Sequence, residues 1–441
     1  MVATKRIGRV PRDLLIILAV ALVLRVAWVV YAAREPATFG DPFIYMALAR
    51  RIAEGNGYGP LFSFGPTAFH PPGYPGWLAG IVWSAKLAGL ESHEPKIIGL
   101  IQAGLGTASV ALVYAIAGRL FTRRVATIAA ALTACFPNLI FYSALMYSET
   151  LYTFGVLLAV WIIVRADWNP TPSTRVLVAF GLVVGLSSLV RPFAFLAVIA
   201  LAVALLRAGV SWRDAARRVG VVAGTAVLLL VPWTIRNAFA YHAFVPISTN
   251  LGDTLCLDNA PGAYGGFREL PPECSPSPPP QRSNAYFEEP RTGANEAKHN
   301  SHNLRYAASW AIHNPGREAV LVFRRAFYGY RDDHDALTDP TGPNGNFPPA
   351  GLRRPFGRLA DAYYYVVLAL GIAGAFKFRG DPRRTFVLLV GASIAVVPLF
   401  LYGLIRFHIP LLPFLALGAA VTIDSLERKR NRVSSRTDGT A

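Results

Sequence analysis

GYPGWLAGIVWSAKLAGL, residues 73–90, decides how this chain is folded. It is apolar, yet it opens on Gly73-Tyr74-Pro75, carries Lys86, and is short for a crossing helix, which takes about 20 residues. Ten further apolar segments lie around it, at approximately 13–33, 97–118, 125–144, 149–166, 175–190, 192–208, 217–236, 359–378, 384–405 and 407–425. Basic links separate them: KRIGRVPR (5–12), RLFTRR (119–124), RADWNPTPSTR (165–175), RAGVSWRDAARR (207–218), KFRGDPRR (377–384) and ERKRNRVSSR (427–436). These links hold about half of the 43 Lys and Arg residues, and the positive-inside bias places all six in the cytoplasm. From RLFTRR onward, two apolar segments separate each link from the next, as that placement requires. Before it the count closes only if residues 73–90 do not cross. The stretch is therefore expected to be a half-embedded or re-entrant part of the first outer loop.

The fold class that follows is an all-α polytopic membrane protein. It has about ten transmembrane helices, both termini cytoplasmic, a re-entrant or juxtamembrane first outer loop and one long extracytoplasmic loop. Composition agrees: 53% of the 441 residues are hydrophobic, 16% are charged, and mean hydropathy is positive. The net charge of +17 belongs to the cytoplasmic links, so no nucleic-acid partner is expected. The first apolar segment is too long for a cleavable leader and lacks a small-residue cleavage site. No internal repeat of the transporter kind stands out. The expected division is a catalytic membrane module at 1–236 with its first outer loop at 34–95, an extracytoplasmic loop region at 237–358, transmembrane helices at 359–425 and a basic cytoplasmic tail at 426–441.

In the long loop, HAFVPISTNLGDTLCLDNAPGAYGGF (242–267) mixes β-branched runs with Gly and Asn turns, and PPECSPSPPPQ (271–281) reads as extended polyproline. Two helices split at Asn314-Pro315-Gly316, the second amphipathic with Phe323, Phe327 and Tyr330 spaced for an interface. RDDHDALTD (331–339) reads as a solvated acidic loop or, less favoured, as a cation or substrate site. Cys256 and Cys274 share this loop; they pair if it is extracytoplasmic, or remain two free thiols.

The topology gathers the unusual polar residues on the outer face: Asp41 in FGDPFIYMALARR, His70 in HPPGYP, Glu149 in YSET, Arg191 in SLVRP, Arg236 in PWTIRN, and Arg406 and His408 in LIRFHIPLLP. Charges at helix ends near a membrane are costly unless they line a wet cavity or bind something. Asp41 and Glu149 each open a helix, so each fits an N-cap. Together they also suit general-base work on a hydroxyl. Arg191, Arg406, His70 and His408 suit a phosphate, although snorkelling explains any one basic residue alone. Tyr45 and Tyr74, in the same outer loop, complete the candidate substrate-binding set with Arg236. Asp41 and Glu149 could share a divalent cation, but no dense ligand cluster requires one.

The ordered set GDPFIYMALARRIAEGNGYGP, HPPGYP, RLFTRR, NLIFYSALMYSETLY, GLSSLVRP, VPWTIRN, PISTNLGDTL and RFHIPLLP resembles the lipid-linked-sugar glycosyltransferases of family 39. That family has the GT-C fold and includes protein O-mannosyltransferases and the aminoarabinose transferase of lipid A. The resemblance covers most of residues 10–425. It implies an inverting hexosyl- or pentosyltransferase of the cell envelope, acting at the outer face of the inner membrane. Its donor would be a polyprenyl-phosphate sugar and its acceptor a lipid or glycan, with membrane lipids as its surroundings. Asp41 would then be the general base, Glu149 an assisting acid, and His70, Arg191 and Arg406 contacts to the lipid phosphate. The lone acid Asp41 before Pro42, where protein mannosyltransferases carry paired acids, argues against a peptide acceptor. A transporter or flippase, or a ligase or polymerase using diphosphate-linked saccharides, are the alternative classes.

Overall fold

The computed structural model describes residues 11–36, 40–59, 66–168, 171–274, 293–338 and 347–437. Most of KRIGRVPR and the polyproline run from Ser275 onward lie outside the described residues. Among the described residues there is no strand, only one bridge between Gly266 and Gly403. The β-branched runs of residues 242–267 therefore do not form a sheet.

Each apolar segment of the sequence is helical. Helix α1 (Arg12–Ala32) precedes α2 (Asp41–Ala53), α3 (Gly73–Leu87), α4 (Glu94–Leu120), α5 (Arg123–Ala134), α6 (Pro137–Phe141), α7 (Glu149–Arg165), α8 (Thr174–Val190), α9 (Leu196–Arg207) and α10 (Trp212–Tyr241). The long loop holds α11 (Leu251–Cys256), α12 (Gly293–His313), α13 (Pro315–Tyr330) and α14 (Asp335–Thr338). Then come α15 (Ala350–Ala375), α16 (Pro382–Phe400) and α17 (Leu412–Thr437). Among the described residues six helices are long and apolar enough to cross a membrane, and the pair α5 and α6, bent by 58°, would make a seventh. Three further apolar helices, α7, α8 and α9, are shorter, at 17, 17 and 12 residues. Helix α3, the stretch that decides the parity, has 15 residues, about 22 Å at 1.5 Å each. It packs against α2, α4 and α8.

The break after α5 leaves backbone carbonyls exposed in an apolar setting, where each needs a donor. Arg25, fully buried in α1, supplies it. Its Nη1 donates to the carbonyls of Ala134 (3.0 Å) and Ala21 (3.1 Å), and its Nη2 to that of Thr133 (3.4 Å). A cation at a helix C-terminus is also favoured by the helix dipole. The intramembrane charge thus closes a broken helix.

Helix α17 is the most enclosed: Leu412, Ala416, Ala419 and Ala420 are all fully buried. It lies so close to α15 that a Cβ on Gly374 would stand 1.9 Å from the Gly418 carbonyl oxygen. Small residues at such a crossing let helix backbones meet. Gly374→Ala is expected to destabilise the bundle by about 1–3 kcal/mol through overpacking. Thermal unfolding in nanodiscs checks this, and an unchanged midpoint would contradict it.

In the long loop Cys256 and Cys274 form a disulfide, and Cys135 is free. Fully buried Arg325 joins α13 to Asp258 (2.8 Å), Asn259 (3.1 Å) and the Leu399 carbonyl of α16 (3.1 Å), and bonds Glu318 of its own helix (2.5 Å). The loop is therefore built onto the helical bundle.

Candidate functional site

Four of the charged residues singled out in the sequence meet at one end of the bundle. Asp41 opens α2, Glu149 opens α7, Arg191 follows α8, and Arg406 lies in a 3-10 turn, Ile405–Leu411, that leads into α17. They alternate in sign. The Arg406 Nη2 donates to Asp41, its Nε lies 3.4 Å from Glu149, and the Arg191 Nη2 donates to Glu149. The Arg191 Nε also donates to the Ser148 hydroxyl at 3.1 Å. The Arg406 guanidinium sits 4.9 Å above the Tyr147 ring, and that of Arg191 lies 5.8 Å from the Phe407 ring.

Neither acid caps its helix. Gly40 and Ser148 hold the N-cap positions, and no side chain caps either end. The first helical turn still favours the two carboxylates through the dipole, while their oxygens face the arginines. Accessibility grades the cluster. The Glu149 side chain is fully buried, and that of Asp41 is 24% exposed. One Glu149 oxygen, Oε2, has no hydrogen-bond partner, so the buried end keeps an acceptor to offer. Burial pushes the Asp41 carboxyl up, but the Arg406 guanidinium, His70 and Arg191 outweigh it and hold it at about 2. A guanidinium bridges Asp41 and Glu149 where a shared cation would stand, so this pair does not have the look of a metal site.

The first outer loop closes over the cluster. Gly73 presses on the last turn of α8: a Cβ there would stand 2.7 Å from the Leu189 carbonyl carbon and oxygen. That approach brings the loop carrying His70 toward Arg191. His70 is buried, edge-on to Tyr45 at 5.1 Å, and its Nε2 has no partner. Burial holds its imidazole below the usual histidine range, against the pull of Asp41. Tyr45 in turn packs edge-on against Tyr74 (5.2 Å), whose hydroxyl donates to Gln102 at 3.3 Å. Tyr74 is thus a support beneath Tyr45.

Two expected members stand elsewhere. Arg236 donates to the carbonyls of Thr67 (2.8 Å) and Tyr58 (2.7 Å) and to Asn237 (3.0 Å), so it straps the first outer loop to α10. Glu296 grips the same loop, accepting from the Thr67 hydroxyl (2.9 Å) and the Ala68 amide (2.8 Å). His408, two residues from Arg406 but turned the other way, is fully buried. Its Nδ1 meets the Gly329 carbonyl at 2.6 Å, its Nε2 meets Asp333 at 2.9 Å, and Tyr330 and Tyr364 stack on its faces. It is placed as an internal tie, away from a phosphate at the cluster.

RDDHDALTD is not the solvated loop its composition suggests. Asn138 donates to both Asp333 (2.8 Å) and Asp335 (2.9 Å), and the Tyr142 hydroxyl donates to Asp335 (2.5 Å). The network joins the segment before Glu149 to the turn carrying Arg406. Nearby Asp332, His334 and Asp361 are grouped closely enough to hold an ion, but Asp332 pairs with Arg331 (3.0 Å) and His334 with Asp361 (2.8 Å). Asp333→Ala would strand His408 and is expected to cost about 3 kcal/mol, the scale for breaking a buried charged pair. Chemical or thermal unfolding in nanodiscs measures it, and a loss under about 0.5 kcal/mol, the surface-substitution scale, would contradict the assignment. Sequence reasoning missed this network and Tyr147 and Ser148, although YSET already placed the last two beside Glu149.

Next to Arg191 runs an apolar cleft between α7, α9 and α16. Tyr152, Phe193, Leu196, Ile394, Val397 and Phe407 line it, and Arg191 is its charged residue.

Residues 70–235 match the family described as dolichyl-phosphate-mannose-protein mannosyltransferase. No curated protein matches the chain in sequence. Among solved structures it is similar to the apo oligosaccharyltransferase of Archaeoglobus fulgidus, at TM-score 0.55 and 14% identity, over 97% of this chain and 52% of that one. The same organism's AglB in complex with an inhibitory peptide and a dolichol-phosphate gives 0.53 and 13%, with the same coverage. ArnT from Cupriavidus metallidurans bound to undecaprenyl phosphate gives 0.41 at 16% identity, over 92% of this chain and 77% of that one, a score too low to bear weight. The chain spans about half the length of the oligosaccharyltransferases it matches. The expected resemblance to GT-C glycosyltransferases, and the all-helical multi-pass architecture, are thus found.

Proposed function

We propose that this membrane protein of the GT-C fold transfers a sugar from a polyprenyl-phosphate donor to a lipid or glycan acceptor at the outer face of the membrane. The observation that carries this is the alternating Asp41–Arg406–Glu149–Arg191 cluster beside an apolar cleft whose one charged residue is Arg191. The lining of the cleft is mostly apolar, as an isoprenoid chain would require, and the Arg191 guanidinium at its side suits a phosphate.

In the reaction, the acceptor oxygen forms a bond to the anomeric carbon as the bond from that carbon to the phosphate oxygen breaks. The acceptor proton passes to the Asp41 carboxylate, and Arg191 and Arg406 take up the charge developing on the departing phosphate. A single displacement of this kind inverts the anomeric centre. A carboxylate at about 2 is a weak base, since the best base has a pKa near the working pH. The donor offers a remedy: its phosphate competes with Asp41 for Arg406, and losing that partner raises the carboxyl. Glu149 keeps both arginines oriented, and His70, beside Tyr45, holds a ring nitrogen without a partner.

The cluster draws Asp41, Glu149 and Arg191 from residues 1–236 and Arg406 from 359–425, so we place the catalytic unit across that division, with residues 237–358 as its outer cover. The Cys256–Cys274 disulfide supports an extracytoplasmic long loop, and with it cytoplasmic termini and an inner-membrane location. The test is a donor panel in nanodiscs, with monophosphate-linked and diphosphate-linked sugars and an envelope extract as acceptor. Free polyprenyl monophosphate released from the monophosphate donor is the expected result. Turnover of the diphosphate donor alone would replace this reading with a ligase or polymerase.

A further inference from the structure

Helix α13 has two unlike faces. Leu321, Arg325 and Gly329 are buried against the protein, while Val320, Phe323 and Phe327 are 45%, 79% and 62% exposed. Their spacing of three and four residues sets them in one stripe. Tyr330, expected from the sequence to continue this stripe, turns inward instead: its hydroxyl donates to the Ala395 carbonyl at 2.5 Å, and its ring stacks on His408. So large an aromatic stripe needs a cover.

The contacts of α13 fix its height against the spanning helices. A Cβ on Gly403, just beyond α16, would stand 2.5 Å from the Arg325 carbonyl oxygen and 2.6 Å from the Tyr328 Cβ. Four residues beyond Arg325, Gly329 faces Pro398 inside α16. The Tyr330 hydroxyl reaches further, to Ala395, five residues short of the α16 terminus at Phe400. As α13 proceeds, its partners move down α16 from beyond the helix end into the span. Its last turn is also bonded to Tyr364 of α15 (3.2 Å) and to His408 (2.6 Å). Val396 and Phe400 of α16 are themselves 39% and 66% exposed, as lipid-facing residues of a span would be, so the helix against which α13 packs also carries exposed apolar residues.

We propose that α13 is an inclined membrane wedge: its Val320–Phe323–Phe327 stripe is covered by lipid, and its C-terminal end lies deeper than its start. This differs from an amphipathic helix lying flat in the interface, where the residues of one stripe share a depth. At 1.5 Å per residue, Phe327 can lie up to about 6 Å deeper than Phe323 and about 10 Å deeper than Val320. Through Gly329 and His408 the wedge joins the turn that carries Arg406, so bilayer and cluster share one mechanical support. None of this depends on the reaction proposed above.

Spin labels test it in the full-length protein in nanodiscs. The background is Cys135→Ser with the Cys256–Cys274 bridge retained, and the label sites are Val320→Cys, Phe323→Cys, Phe327→Cys and, as an exposed control, Glu269→Cys. Collision with oxygen relative to a water-soluble nickel chelate reports depth. The expected order is lowest at 269, then 320, then 323, and highest at 327. Nickel access at all three stripe positions equal to that at 269 would overturn the proposal. Equal depth at all three would overturn the inclination, and protection from both reagents would mean that protein, such as a second copy, covers the stripe. A variant that loses the native elution profile is replaced by its neighbour on the same face, Ala319→Cys or Arg324→Cys, with the same expected order.

Discussion

Arg406→Leu is expected to lose both donor turnover and a large part of the stability of the outer end. The guanidinium bonds Asp41 and approaches Glu149 at 3.4 Å, and the leucine leaves Asp41 without that partner and Glu149 with Arg191 alone. Removing one partner of a buried charged set costs about 3–5 kcal/mol. Losing a preorganised cation at the departing phosphate costs a further rate factor of about 10²–10³. Arg406→Lys separates the two effects. A lysine restores the charge but lacks the flat fork that reaches two acids together, so it should regain most of the stability and little of the rate. Turnover and unfolding midpoint, measured on the same nanodisc preparations, read both. A leucine variant with wild-type stability would remove Arg406 from the centre of the cluster.

Asp41→Asn is the sharper change, because asparagine keeps the shape and the place at the start of α2 while losing the base. Turnover is expected to fall by about 10²–10⁴, the usual share of a general base, with donor binding retained. The pH behaviour differs in two ways. Because Asp41 is held at about 2 in the folded protein and titrates near 3.9 when unfolded, its ionised form stabilises the fold. That contribution is complete above about pH 4 and disappears as the pH falls toward 2. The stability gap between wild type and variant should close over that window. In turnover, a donor phosphate that draws Arg406 away would move the acid limb of the wild-type profile above pH 2, and the variant should lack that limb. A variant as active as wild type would return Asp41 to a structural role.

Much of this was legible from hydropathy and charge. Every apolar segment became a helix because a period of 3.6 and an apolar run leave few alternatives in a membrane. The basic links place Asp41, Glu149, Arg191 and Arg406 on one face, and the four side chains meet in one cluster. What could not be read was direction within that end. Arg406 and His408 stand two residues apart, and in the 3-10 turn that carries them they point to different neighbours, one to the acids and the other to Asp333. Spacing alone assigns both to the same phosphate. Arg236 shows the same limit: its partners are backbone carbonyls of the first outer loop, about 170 residues away, and carbonyls leave no mark in a sequence. Asp333 and Asp335 of RDDHDALTD look solvated by composition, and only their bonds to Asn138 and Tyr142 tie them to the bundle. The helix after Pro315 was visible as amphipathic, but its tilt rests on contacts with α16 that no periodicity encodes.

Whether the Asp41–Arg406–Glu149–Arg191 cluster is the seat of transfer from a polyprenyl-phosphate sugar turns on one comparison. Wild type and Asp41→Asn, reconstituted side by side, are given a labelled polyprenyl-monophosphate sugar and acceptor extract, and free polyprenyl phosphate is counted over time. Steady release by the wild type, with the folded variant at background, is the predicted result. Equal release by both, or none by either, would contradict the account.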